Sequence, residues 1–142
     1  MTSPTYTDPP GMPEDERMTD AEFKVIREYL GLTGDWLADH LGVAPRTVRN
    51  WEQGKYAIPD GVRLEMEDLE ARTGEFVARV AEKLLDLPEP GVVTYRSDEE
   101  YHAAHPDQLW PASWHRAVIA RVAQEVPGLA IVYADQAPHE AA

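Results

Sequence analysis

Thr33-Gly34-Asp35-Trp36-Leu37-Ala38-Asp39-His40-Leu41-Gly42-Val43-Ala44-Pro45-Arg46-Thr47-Val48-Arg49-Asn50-Trp51-Glu52-Gln53-Gly54-Lys55, running on through Tyr56, Ala57 and Ile58 to Pro59, is the most informative stretch of this chain. It reads as helix, glycine turn, helix. Thr33 supplies a hydroxyl at the mouth of the first helix, and Leu37, Ala38 and Leu41 recur at helical spacing to form one apolar face. Ala38 is small where two helices must cross closely. Gly42 ends the first helix, because glycine enters the left-handed region without steric cost. Pro45 opens the second helix, where its missing N–H is no loss. Val48 and Trp51 are the inward positions of that helix and Gly54 is its stop. Ala44 has no side-chain oxygen, so the second helix lacks a cap worth ~1 kcal/mol.

With Val48 and Trp51 turned inward, Arg46, Thr47, Arg49, Asn50 and Gln53 must face outward. That arrangement meets the physical specification of a helix-turn-helix whose second helix enters the major groove of DNA. Arg46 lies in the first turn of that helix, beside Pro45, and its fork can donate two bonds to guanine O6 and N7. Asn50, one turn later, can read adenine or hold a phosphate. Thr47 and Arg49 flank these and suit the DNA backbone. Lys55, with Gln53 and the main chain around Gly54, suits phosphates just past the helix end. Thr33, Gly34 and Asp35 place the N–H groups of a helix N-terminus near the other strand. The plain alternative is a solvated helix face. The buried pattern argues against it for Arg46 and Arg49, because it fixes the direction in which they point.

Outward from this core, Thr19-Asp20-Ala21-Glu22 fits a capping box that starts a helix through Phe23, Ile26 and Leu30, with Gly31 as its end. Residues 1–18 carry Pro4, Pro9, Pro10 and Pro13 with few apolar side chains and read as a disordered leader. From Pro59 a long helical pattern runs through Val62, Met66, Leu69, Thr73, Phe76, Val80 and Leu84, close to a heptad seam. Gly74 costs ~1 kcal/mol inside it, so a break is expected there. Pro88-Glu89-Pro90-Gly91 marks a boundary. Val92 to Tyr95 reads as a strand, Ser97 to Glu100 as a capped short helix, and Ser113 as the start of a helix with Trp114, Val118, Val122 and Val126 on one stripe. Leu129-Ala130-Ile131-Val132-Tyr133 is a continuous apolar run, the pattern of a strand covered on both faces. Two strands separated by helices pair most simply in parallel. Such a small sheet needs a partner chain to extend or cover it. Residues 135–142 read as a loose tail.

The chain has 142 residues, 43% of them hydrophobic and 27% charged, and no cysteine. It is globular in composition, and disulfides, thiolate metal sites and cysteine nucleophiles are excluded. The absence of a long apolar run, and of a basic start followed by an apolar segment, points to a cytoplasmic protein that neither spans nor enters a membrane. The net charge is −13, yet residues 21–59 balance five acids against five bases. The acidic excess lies elsewhere, where it would repel DNA in wrong orientations. No catalytic constellation, phosphate-binding loop or dinucleotide glycine pattern appears. His102-x-x-His105 lacks a third ligand. No enzyme activity, cofactor or metal is expected.

Leu37-Ala38, Leu41-Gly42-Val43 and Thr47-Val48-Arg49-Asn50-Trp51-Glu52-Gln53-Gly54-Lys55 resemble the phage-repressor (Cro/XRE-like) helix-turn-helix class, with Trp-Glu-x-Gly-Lys the most specific part. Ala57-Ile58-Pro59-Asp60, Glu65 to Leu69, Tyr95, Asp98 to Tyr101 and Trp114-His115-Arg116 extend the resemblance to the anti-CRISPR-associated (Aca) repressors, over about residues 19–134. The resemblance implies a DNA-binding homodimer that represses its own operon, with the C-terminal part making the dimer. The expected fold is mainly α with a small α/β C-terminal part: a helix-turn-helix domain with its long helix over 19–87 and a dimerisation region over 88–134. Leu129, Ile131, Tyr133, Trp114 and Val118 are the expected dimer contacts. Double-stranded DNA carrying an inverted repeat is the expected partner. An antitoxin that holds a toxin through its acidic or strand surface, and a regulator that grips RNA, are the competing readings.

Overall fold

A computed structural model describes residues 17–137, so most of the leader and the last five residues of the tail lie outside the described residues. Among these, the element order is α1 (Asp20–Tyr29), α2 (Gly34–Leu41), α3 (Pro45–Glu52), α4 (Asp60–Leu85), β1 (Gly91–Thr94), α5 (Asp98–Ala104), α6 (Ala112–Glu125) and β2 (Ala130–Tyr133). The architecture is mainly helical with one small sheet, as the sequence leads one to expect. Packing divides the chain into two units, one ending at Arg72 and the other beginning at Thr73. The division therefore falls inside α4 and not at the proline-rich turn that follows it.

The first unit is built from helices with locally encoded ends. The Thr19 hydroxyl accepts from the Glu22 amide at 3.0 Å, and the Glu22 carboxylate accepts from the Thr19 amide at 2.8 Å. Thr33 caps α2 in the same way, accepting from the Trp36 amide at 3.0 Å. Gly42 sits at φ 72°, where a side chain would be strained, and lets the Val43 amide bond back to the Ala38 carbonyl at 2.9 Å. Phe23, Leu30, Leu32, Leu37, Ala38, Val48, Trp51, Val62, Met66 and Leu69 are buried together. The Phe23 and Trp51 rings meet edge to face, with centroids 5.8 Å apart. Burying each large side chain contributes roughly 1.5–3 kcal/mol.

In the second unit β1 and β2 pair in parallel, with Val92 opposite Ile131 and Thr94 opposite Tyr133. The Trp114, Val118, Ile119 and Val122 side chains of α6 form the core. The Trp114 indole donates to the Thr73 hydroxyl at 3.0 Å, and its ring packs at 5.1 Å from Phe76.

Several details depart from expectation. α4 runs through Gly74 unbroken. Its buried positions in this unit are Thr73, Val77 and Ala81, whereas Phe76, Val80 and Leu84 are half-buried. α6 starts at Ala112, one residue before Ser113, because the Asp98 carboxylate reaches across from α5 and accepts from the Ala112 amide at 2.7 Å. β2 is not covered on both faces: Ile131 is 44% and Val132 38% exposed.

Candidate nucleic-acid interface

α3 presents two contrasting faces. Val48 and Trp51 are buried, Trp51 completely so. Arg46, Arg49 and Gln53 are exposed, and Thr47 and Asn50 half-exposed. Arg46, Arg49, Asn50 and Gln53 stand three, four and seven residues apart, which is a single helical stripe. Pro45 occupies the first turn, Ala44 offers no side-chain cap, and the Thr47 amide donates to the Ala44 carbonyl at 2.9 Å. Gln53 is the C-terminal cap residue. Gly54 then turns the chain at φ 74°, and Lys55 stands exposed beyond it with its amide bonded to the Asn50 carbonyl at 2.9 Å.

None of Arg46, Arg49 and Lys55 takes part in an ion pair among the described residues. The one acid on α3, Glu52, is taken up by Arg27 of α1. The stripe is thus a cationic, hydrogen-bonding edge on a rigid helix. Thr33 lies exposed at the mouth of α2, its hydroxyl engaged in capping. Trp36, in the same first turn, stacks on His40 with centroids 5.2 Å apart and planes 8° from parallel.

This chain matches the Aca2/YdiL-like family over residues 18–125. It is also 34% identical over 113 residues to a protein of Pectobacterium phage ZF40 named "Aca2 repressor", a match that covers 79% of this chain and 91% of that protein. The chain belongs to the Aca2/YdiL-like family. The matched span takes in every element of this Aca2-like chain from α1 to α6.

The expected interface residues of the second unit separate into two groups. Trp114 and Val118 are completely buried in the core of their own unit, so they support the sheet from within. Leu129 and Tyr133 are half-buried and Ile131 is exposed. Arg96 lies over the Tyr133 ring at 4.1 Å and holds Asp135 through a 2.8 Å hydrogen bond, which fixes the end of β2.

The histidines considered as metal ligands are engaged separately. His102 Nε2 meets the Trp110 carbonyl at 2.8 Å, and His105 Nε2 meets the Tyr95 hydroxyl at 3.0 Å. No group of three His, Cys, Asp or Glu residues among the described ones is placed to hold a metal. No helix among them is long and apolar enough to cross a membrane.

Sequence reasoning missed two members of this neighbourhood. Arg27 fixes the end of α3 from α1, a pairing across 25 residues that no local pattern carries. Asp20 lies against Gly54, where an added Cβ would stand 3.0 Å from its carboxylate oxygen. His115 lies in the Trp114-His115-Arg116 stretch that carries part of the resemblance, and its Nδ1 lies 2.7 Å from the Thr94 hydroxyl. Burial lowers its pKa to about 4, with His105 and Arg116 adding to the shift.

Proposed function

We propose that this chain is a sequence-specific transcriptional repressor that binds an inverted repeat in double-stranded DNA as a homodimer and controls its own operon. The single observation that carries the reading is the stripe of Arg46, Arg49, Asn50 and Gln53 on a helix whose other face is locked by buried Val48 and Trp51. Arg46 would read guanine and Asn50 adenine in the major groove. Thr47, Arg49, Gln53, Lys55 and the α2 N-terminus at Thr33 would grip phosphates, and Pro45 would open the reading helix at the groove floor. That the phage ZF40 relative is named a repressor supports a regulatory role.

A second copy would bring the paired reading helices about one helical turn of DNA apart, ~34 Å, or a multiple of it. The exposed apolar strand β2 is the surface best suited to that copy, because a two-stranded sheet with Ile131 and Val132 open to solvent gains most by being covered. Leu129, Ile131 and Tyr133 would be its contacts. Repression would follow from mass action, with accumulating protein occupying the operator and excluding polymerase.

Titration of the full chain onto a duplex taken from immediately upstream of its own reading frame tests the proposal. A complex that resists excess random duplex is expected. Equal affinity for both duplexes removes the reading.

A further inference from the structure

We propose that the groove between α6 and the sheet of the second unit binds a small carboxylate with an apolar body, seated on Arg116; the consequence for repression, though not the binding itself, rests on the reading given above.

The Arg116 guanidinium is the first ground. Its Nη1 donates to the Tyr95 carbonyl at 2.6 Å and to the Arg96 carbonyl at 3.2 Å, which fixes the plane of the group. Nε and Nη2, its other edge, have no acceptor among the described residues. Elsewhere in this chain that edge holds a carboxylate. Arg27 presents Nε and Nη2 to the two oxygens of Glu52, and Arg96 presents them to the two oxygens of Asp135, at 2.8 and 3.5 Å. Arg116 forms no ion pair among the described residues, so its fork is a vacant two-pronged seat for a carboxylate.

The second ground is what surrounds the seat. Arg116 lines a groove of about 320 Å³ whose walls include Ile119 and Ala120 of α6 and Ile131 and Val132 of β2. Ala120, Ile131 and Val132 are exposed, so apolar surface borders the cation. The polar groups beside it do not fill the seat. The Thr94 hydroxyl is engaged by His115 Nδ1 at 2.7 Å. Gln136 gives its side-chain oxygen to the Tyr133 amide at 3.1 Å, which leaves its side-chain N–H groups as donors. Asp135, the acid next to it in sequence, is held by Arg96. The occupant that complements this lining brings a charged acceptor for Arg116 and an apolar body for the walls.

Size is the third ground. The groove lies at the small end of ligand pockets, which run from roughly 300 to 1,000 Å³, and suits a short fatty or aryl acid. Ile131 is also where the second copy is proposed to rest. An acid in the groove would compete with that copy, lower the fraction of dimer and release the operator by mass action.

The test titrates sodium octanoate into the full chain and follows the Arg116 Nε–H signal and the Ile131 and Val132 methyl signals by NMR. Saturable shifts at all three are expected. Octanol carries the same tail without the charge and should bind on the order of tenfold more weakly. Gln136→Glu, at an exposed position, keeps an oxygen for the Tyr133 amide and places an anion beside the seat. It should weaken octanoate by a similar factor and leave octanol unchanged. The absence of a saturable shift with octanoate overturns the proposal and leaves the groove to the second copy. Equal affinity for octanoate and octanol, or unchanged octanoate binding by Gln136→Glu, overturns it as well. Light scattering on the same samples reads the consequence. Loss of dimer on octanoate binding supports both readings. Octanoate binding with an unchanged oligomeric state keeps the site and removes β2 as the seat of the second copy.

Discussion

Arg27 and Glu52 are joined by a two-pronged pair: Nε and Nη2 of the guanidinium donate to the two carboxylate oxygens, the latter at 3.0 Å, while Nη1 donates to the Leu32 carbonyl at 2.9 Å. The pair ties three things together: the third turn of α1, the loop before α2, and the last residue of α3. Its side chains are only 14% and 13% exposed, and the Glu52 hydrogen bond holds the guanidinium pKa above its ordinary value. Breaking one side leaves a nearly buried charge without its partner. Arg27→Ala or Glu52→Gln is expected to cost about 2–4 kcal/mol in urea denaturation, a little below the range for fully buried pairs. The double change Arg27→Ala with Glu52→Gln should cost less than the sum of the two single losses. Strictly additive losses would show that the two side chains are not coupled.

Arg46 and Lys55 should behave differently on DNA, because one is assigned to a base and the other to a phosphate. Arg46→Ala should weaken the specific complex by ~1–3 kcal/mol and relax the preference at one base position. Lys55→Ala should weaken specific and random duplex alike and lower the salt slope by about one. Circular dichroism should find both variants folded, since both side chains are exposed. Identical effects of the two variants would contradict the division of roles.

Much of the first unit is legible in the chain because its signals are local. The Thr19 and Glu22 box, the Thr33 cap, the Gly42 turn and the inward Val48 and Trp51 each act within a few residues. The second unit depends on contacts between distant residues, which leave weaker traces. α4 passes through Gly74 because Thr73, Val77 and Ala81 are buried around it, which outweighs a penalty of ~1 kcal/mol. The start of α6 is set by Asp98, fourteen residues earlier. The apolar run at β2 shows that those residues seek cover. Their exposure within the chain is set by distant packing and is not carried by hydropathy. For the outward face of α3, the direction of Arg46 and Arg49 was legible; the bracing by Arg27 was not.

His115 makes stability depend on pH. Its pKa is lowered to about 4 by burial, against an ordinary value near 6.5. The unfolded chain therefore takes up a proton that the folded chain refuses, and stability falls as pH drops from about 6.5 to about 4. The loss at this site is at most about 3 kcal/mol. His115→Asn, which can keep a bond to Thr94, should flatten the stability curve across that window while leaving other acid-labile groups in place. A variant curve parallel to that of the parent chain would remove His115 as the cause.

Ile131→Asp places a charge on the exposed part of β2, opposite Val92. A monomer folds around this change with little loss, because the position is open to solvent. Burial of the new carboxylate in an interface is costly. Light scattering should therefore find the parent chain dimeric and the variant monomeric, with unchanged helix content. A dimeric variant would move the interface away from this strand.

The edge from Arg46 to Gln53 is expected to read a duplex in two copies related by symmetry. Hydroxyl-radical footprinting of the region upstream of the gene, with the parent chain and with Arg46→Ala, tests it most directly. Two protected half-sites of an inverted repeat are expected, their centres ~34 Å or a multiple apart, both lost together in the variant at equal concentration. Protection that survives Arg46→Ala unchanged, or a lack of any discrete protected site, would contradict it.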